Sequence, residues 1–171
     1  WYPMRARGRA GDPVLPFRPV TARSEVPASF RSSSLRPGPL AAIRIGISGW
    51  TYAPWRGVFY PQGLKQAEEL AYAASHLTSI EINATHYRLQ SAKSFRKWAD
   101  ATPEGFVFSV KGPRIVTNQK ALAETGDFVQ RFIDSGLAEL GDRLGPVLWQ
   151  FPPFKKLDEA DFGKFLDLLP K

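Results

Sequence analysis

The stretch SIEINATHY, residues 79–87, decides the fold of this chain. In it, Ile80 and Ile82 alternate with Glu81 and Asn83, and this period of two predicts a β-strand. Helical patterns lie on both sides of the strand and indicate an α/β layer structure, in which both faces of a strand are usually apolar. The carboxylate and the amide on its second face therefore require a specific explanation.

The rest of residues 43–171 also alternates between strand and helix patterns. Strands are predicted over residues 43–48, 79–83, 106–111 and 146–151. Helices are predicted over residues 66–76, 92–101, about 128–140 and after an Asp158 cap. Four consecutive βα units imply an α/β fold with a parallel sheet and right-handed crossovers. They amount to the first half of a (β/α)8 TIM-barrel type fold, which typically has about 250 residues, and a small open sheet is the other possibility.

Each predicted strand has one apolar face and one face with polar groups near its C-terminal half. In a barrel, the apolar face meets the helices and the polar face points into the lumen. Glu81 and Asn83 are then predicted to lie near Ser48, Lys111 and Gln150. Lys111 is the natural partner of Glu81, because a buried carboxylate must be paired. Barrel active sites lie at the C-terminal ends of the strands, so the cluster is either a ligand site or an internal polar network.

The first loop, SGWTYAPWRGVFYP over residues 48–61, is rich in aromatic residues, with Arg56 among them. The aromatic residues are Trp50, Tyr52, Trp55, Phe59 and Tyr60. Aromatic faces can stack on sugars or bases, and Arg can hold a carboxylate or a phosphate. The alternative is that these rings close the mouth of the barrel.

The sequence argues against several kinds of site. It has no cysteine, which excludes disulfides, thiolate metal sites and a cysteine nucleophile. Its two histidines, His76 and His86, lack metal-ligand spacing, which argues against a histidine-rich metal site, and His86 is either a general base or a loop residue. Glu81 with Asn83 could hold a hard cation, but their spacing does not require one, so no metal ligand is assigned. Neither a dinucleotide fingerprint nor a P-loop motif occurs, and the cofactor stays unknown. No apolar run could span a membrane, so we expect a cytoplasmic protein without a membrane partner.

The net charge of +7 is concentrated at one end of the chain. Residues 1–42 contain seven Arg, two acidic residues and seven of the 15 prolines, without a sustained period of 2 or 3.6. We expect this segment to be a disordered basic leader, with a targeting peptide or a nucleic-acid-binding arm as alternatives. Residues 43–171 carry 16 basic and 14 acidic residues, and this near balance disfavours a nucleic-acid-binding domain.

Four spaced motifs, ISGWTYAPWRGVFYP, SIEINATHYRL, FVFSVKGPRIVTN and LGPVLWQFPP, occur in this order. In these motifs, residues 43–171 resemble the YecE-like family, domain of unknown function family 72. The resemblance implies a TIM barrel related in fold to sugar isomerases and metal-dependent endonucleases, in a family without an established activity. The family's recurrent residues fall here on Gly49, Trp50, Tyr52, Trp55, Gly57, Phe59, Tyr60, Pro61, Glu81, Asn83, Thr85, Tyr87, Lys111, Arg114, Gln150 and Pro152.

The chain departs from the family pattern at two loop positions and in length. Asn118 follows Thr117 where many members have His, and His86 stands where many have Phe. Members usually continue through the remaining strands, so this chain is expected to be an N-terminal half whose open face favours self-association.

Three functional hypotheses follow. The first is an enzyme or binding protein for a small polar ligand such as a sugar or phosphorylated metabolite. In it Glu81 acts as general acid/base or metal ligand, and Lys111 stabilises negative charge. Its ligand-binding residues would be Ser48, Trp50, Tyr52, Trp55, Arg56, Asn83, Tyr87, Arg114 and Gln150. The alternatives are nucleic-acid binding or processing, and an inactive truncated fragment.

Overall fold

The structure is a computed structural model that describes residues 43–170. The predicted disordered leader, residues 1–42, lies outside the described residues. The strands are β1 (Gly46–Ser48), β2 (Ser79–Ile82), β3 (Val107–Lys111) and β4 (Leu144–Leu148). The α-helices are α1 (Glu69–His76), α2 (Ala84–Tyr87), α3 (Ala92–Asp100), α4 (Arg114–Thr117), α5 (Gly126–Asp134) and α6 (Glu159–Asp167). Short 3-10 helices lie at Ala53–Trp55, Gln66–Glu68, Leu122–Glu124 and Leu137–Arg143.

The four strands form one parallel sheet in the order β1-β2-β3-β4. Neighbouring strands are in register, so that Ile47 lies level with Ile80, and Ile80 with Phe108. One residue further along, Ser48 lies level with Glu81. Because side chains alternate between the two faces of a strand, the isoleucines share one face and the polar residues share the other.

The apolar face of the sheet is covered by helices. Four strand residues on this face have no exposed surface: Ile80, Ile82, Phe108 and Val110. They form one core with apolar residues of α1, α3 and α5, including Ala73, Phe95 and Phe132. Burying a side chain of this size contributes about 1.5–3 kcal/mol, so this face supplies much of the stability of the sheet.

The opposite face of the sheet is more open. Glu81, Ser109 and Lys111 are only partly buried there, and Leu148 is 44% exposed. The predicted division between an apolar and a polar face is therefore correct for the central strands. The polar side chains near the strand ends lie on this open face.

The fourth strand begins and ends earlier than predicted. It spans Leu144–Leu148 rather than residues 146–151, so Gln150 lies in the loop that follows it. The ladder shifts register between Phe108 and Val110. Gly145 fits this close approach, since a Cβ at that position would lie 2.4 Å from Cγ1 of Val107.

Two aromatic residues that were predicted within the fourth strand belong instead to the packing of α6. The ring of Trp149 meets the ring of Phe165 edge to face at 5.4 Å, and it meets Phe132 similarly at 5.8 Å. Phe151 packs against Phe162 and Phe165. The apolar run continues past the strand because these side chains fill a second core, not because the backbone stays extended.

The other predicted boundaries need smaller corrections. The first strand is shorter than residues 43–48, and Ile43 and Ile45 are 88% and 68% exposed instead of facing the core with Ile47. The helix predicted over residues 128–140 is broken at Gly136, whose φ of 110° is left-handed and ends α5. The predicted caps are correct, since the side chains of Ser91 and Asp158 accept backbone N–H groups at the starts of α3 and α6. Within residues 43–170, no helix combines the length and apolar composition needed to cross a bilayer.

Candidate functional site

A hydrogen-bonded polar cluster lies where the first three strands end, and we define it as Ser48, Glu81, Asn83 and Lys111. The Ser48 hydroxyl donates to Oε1 of Glu81 at 2.8 Å. The Asn83 amide donates to the Ser48 hydroxyl oxygen at 2.7 Å. The Lys111 ammonium lies 3.1 Å from the same Oε1 of Glu81. The structure therefore brings together four residues that the sequence predicted to be neighbours.

The ion pair in the polar cluster is partly removed from solvent. The side chain of Lys111 is 15% exposed and that of Glu81 is 18% exposed. Because the two charges compensate each other, the cluster as a whole is neutral and its desolvation cost is reduced. Among the described residues, Oε2 of Glu81 has no hydrogen bond, so this oxygen can interact with a ligand.

The backbone around the polar cluster fixes its geometry. Gly49 has a φ of 78°, which glycine adopts readily, and its N–H donates to the carbonyl of Glu81 at 2.9 Å. On the other side, the buried hydroxyl of Thr85 donates to the carbonyl of Lys111 at 2.7 Å. The chain segments after β1 and β2 are thus both tied to neighbouring strands next to the cluster.

Of the predicted aromatic residues, Tyr52 is the one joined to the polar cluster by a hydrogen bond. Its hydroxyl donates to the backbone carbonyl of Ser48, and its ring lies 4.6 Å from the ring of Trp55. Trp50 takes a different position, with its ring 5.6 Å from Trp98 and 6.5 Å from Phe108, a residue of the covered face. The structure therefore places Trp50 in the packing beneath the sheet and not in the cluster.

Arg56 is engaged in an ion pair that the sequence analysis missed. Its Nε lies 2.7 Å from Oε1 of Glu69, whose side chain has no exposed surface. A buried carboxylate requires such a partner, so Arg56 has a structural role and is not in the polar cluster. The available signal was the position of Glu69, four residues before the core residue Ala73 on the same helix face.

Tyr60 lies beside this buried carboxylate. Burial, together with the nearby Glu69 and Tyr52, raises the pKa of the Tyr60 phenol to about 12. The phenol donates its proton to the backbone carbonyl of Trp50. It is therefore a neutral donor that holds the first loop in place.

Tyr87 and Arg114 lie together in a second region, after the C-terminal ends of β2 and β3. The guanidinium carbon of Arg114 lies 5.4 Å from the centre of the Tyr87 ring. Both residues line a cavity of about 500 Å³ together with His86, Arg88, Asn118 and Arg131. Arg88 and Arg131 were not predicted as site residues, because arginine is common on helix and loop surfaces and only the fold brings them together.

Gln150 lies outside the strand in which it was predicted. Gln150 is exposed in the loop after β4 and was predicted near the polar cluster as part of the strand. In the part of the chain that the structure describes, no three His, Asp or Glu side chains are grouped as a metal site requires.

The sheet and the polar cluster define an α/β domain with parallel strands, helices on one face and a candidate site at the carboxyl ends of the strands. The chain belongs to the family described as protein of unknown function DUF72, which matches residues 44–171. The resemblance noted in the sequence motifs is thus confirmed.

Relatives in this family are longer than the described domain. The UPF0759 protein YunF of Bacillus subtilis (strain 168) is 31% identical over 117 residues, which cover 66% of this chain and 40% of that protein. Two crystal structures of a DUF72 family protein, EF0366 of Enterococcus faecalis V583, show the same fold. Their identities are 20% and 21%, and their TM-scores are 0.60 and 0.53. The alignments cover 74% and 73% of this chain, and 46% and 45% of those chains. The chain therefore spans less than half the length of these relatives.

Proposed function

We propose that this chain forms part of a TIM-barrel type domain and binds a small polar ligand, a sugar or a phosphorylated metabolite, at the polar cluster. Support for the barrel comes from the parallel strands in chain order, the helices on one face and the polar groups on the other. The observation that carries the ligand site is the connected set of Ser48, Glu81, Asn83 and Lys111 at the strand ends, where barrels bind their ligands.

Each member of the polar cluster has a distinct part in this proposal. Glu81 presents Oε2 to a ligand hydroxyl, either as a hydrogen-bond acceptor or as a general base. Lys111 pairs with Glu81 and stabilises negative charge that develops on the ligand. Ser48 and Asn83 hold the carboxylate in one orientation. Nucleic-acid binding is less favoured, since residues 43–171 carry 16 basic and 14 acidic residues.

The experiment is a ligand-observed NMR screen of the full chain against sugars and sugar phosphates, repeated with Glu81→Gln. Removing one hydrogen bond to a charged group weakens binding roughly 10-fold to 100-fold. Glu139→Gln is the matched control, because Glu139 also accepts from a cation, Arg96, but lies on another face. Binding that survives in Glu81→Gln at the strength of the control would refute the assignment. Circular dichroism verifies that both variants stay folded.

A further inference from the structure

The cavity beside Tyr87 and Arg114 carries an unusual concentration of one charge. Its lining includes Arg88, Arg114 and Arg131 and contains no Asp or Glu, while the apolar part of the lining comes from Leu89, Pro113, Ile115 and Phe128. We name this cavity, with those three arginines, the arginine pocket. Three positive charges around a space of about 500 Å³ repel one another and create a field that attracts anions.

Among residues 43–170, no carboxylate lies within ion-pair distance of the arginines of this pocket. Within residues 43–170, the three ion pairs of the structure use Arg56, Arg96 and Lys111 as their cations. Neither Arg88, Arg114 nor Arg131 takes part in one of these pairs. The charge of the arginine pocket is thus available to a ligand, whereas the charge of Lys111 is already matched by Glu81.

Arg114 is positioned in the pocket by a contact with an aromatic ring. Its guanidinium carbon lies 5.4 Å from the centre of the exposed Tyr87 ring, which is a cation–π contact. A planar guanidinium donates two parallel N–H groups to a phosphate, a geometry that an ammonium group cannot offer.

The arginine pocket adjoins the polar cluster through the ends of β2 and β3. His86 Nδ1 lies 2.9 Å from the carbonyl of Gly112, and because a carbonyl only accepts, the ring nitrogen donates. Gly112 directly follows Lys111, and Arg114 is two residues further on. The two sites therefore share the chain segments that follow β2 and β3.

From these contacts we infer that the arginine pocket binds the phosphate group of a phosphate monoester whose polar remainder reaches the polar cluster. The inference rests on the proposed function and narrows it from polar ligands in general to phosphorylated small molecules. A phosphate dianion suits three arginines better than a single carboxylate does, because each added charge strengthens the attraction.

The test is isothermal titration of the full chain, in a buffer without phosphate, with inorganic phosphate, ribose and ribose 5-phosphate. Arg114→Gln is expected to weaken phosphate and ribose 5-phosphate binding roughly tenfold, since it removes charge-assisted hydrogen bonds. Arg114→Lys should recover only part of the affinity, because it keeps the charge without the fork. The control is Lys93→Gln, which removes one exposed charge from α3 and should leave both affinities unchanged. All variants keep the seven arginines of residues 1–42, so weak binding by that segment cancels.

The outcomes separate this inference from the proposed function. Two adjoining subsites are supported if both Arg114→Gln and Glu81→Gln weaken the binding of ribose 5-phosphate, while only Arg114→Gln weakens the binding of inorganic phosphate. If ribose and ribose 5-phosphate bind equally well and Arg114→Gln changes neither affinity, the arginine pocket does not bind phosphate. The proposal that the polar cluster binds a ligand is then unaffected. An absence of phosphate binding up to about 10 mM, ten times a millimolar Kd, overturns the inference about the arginine pocket. The inference is also overturned if a single-stranded oligonucleotide binds far more tightly than ribose 5-phosphate and its affinity falls steeply with salt concentration.

Discussion

Glu81 and Lys111 should be measurably coupled in their contributions to the free energy of unfolding. We expect a double-mutant cycle of Glu81→Gln and Lys111→Met to give a coupling energy of about 2 kcal/mol. Exposed ion pairs contribute roughly 0–1 kcal/mol, and breaking a buried pair costs about 3–5 kcal/mol, so a partly buried pair should lie between these values. The intermediate value follows from side chains that are 18% and 15% exposed and from a 3.1 Å separation. The Gln side chain still accepts from the Ser48 hydroxyl, so the cycle isolates the charge interaction.

The assay is urea unfolding of the full chain followed by tryptophan fluorescence. Trp50 and Trp98 pack together beneath the sheet and report loss of this core. Each single variant leaves one charge without its partner and should be less stable than wild type, while the double variant should recover part of the loss. The slopes of the unfolding curves should stay equal, since the surface exposed on unfolding does not change.

The matched control is the pair between Arg96 and Glu139, whose Nη2 and Oε2 lie 2.7 Å apart. These side chains are 64% and 34% exposed, so solvent screens their attraction despite the shorter distance. Arg96→Met and Glu139→Gln should therefore show much weaker coupling. A coupling for Glu81 and Lys111 no larger than that of the control would refute the view that the polar cluster is partly desolvated.

Two further predictions concern Gly112 and Asp161. Gly112→Ala should lower the free energy of unfolding by about 1–3 kcal/mol, because the new Cβ would lie 2.4 Å from the Trp149 ring. Urea unfolding measures this change, and a variant as stable as wild type would show that the ring moves freely. Hydrogen bonds from the N–H groups of Ala123 and Leu122 hold the pKa of the Asp161 carboxyl below its usual range. The stabilisation is therefore complete above the ordinary pKa of an aspartate and is lost as the pH falls through the lowered pKa. In thermal melts from pH 6 to pH 2, the Tm of the wild type should fall more steeply than the Tm of Asp161→Asn.

The polar cluster could be predicted from the sequence because two simple rules locate it. Alternation along a strand decides which face a side chain occupies, and this rule put Ile82 and Val110 in the core and Glu81 opposite them. Parallel strands place their carboxyl ends at the same end of the sheet, so Ser48 and Lys111 had to lie near Glu81. Both rules concern the backbone alone and need no knowledge of side-chain packing.

The arginine pocket and the roles of the first loop could not be predicted in this way. Arg88 and Arg131 lie in segments that come together only through the packing of α2, α4 and α5. Arg56 turns to the buried Glu69, and Trp50 turns beneath the sheet, because the loop backbone sets their directions. The end of β4 was missed since the apolar run around Trp149 continues from the strand into a second core.

The strand order, which follows the order of the chain, has a consequence for how the domain is made. Each strand pairs with the one before it, and paired residues are roughly 30 positions apart, so every pairing closes a loop of modest length. A ribosome that releases the chain from its N-terminus can therefore deliver each βα unit to a sheet edge that already exists. Assembly can advance in the direction of translation, with each unit serving as the template for the next.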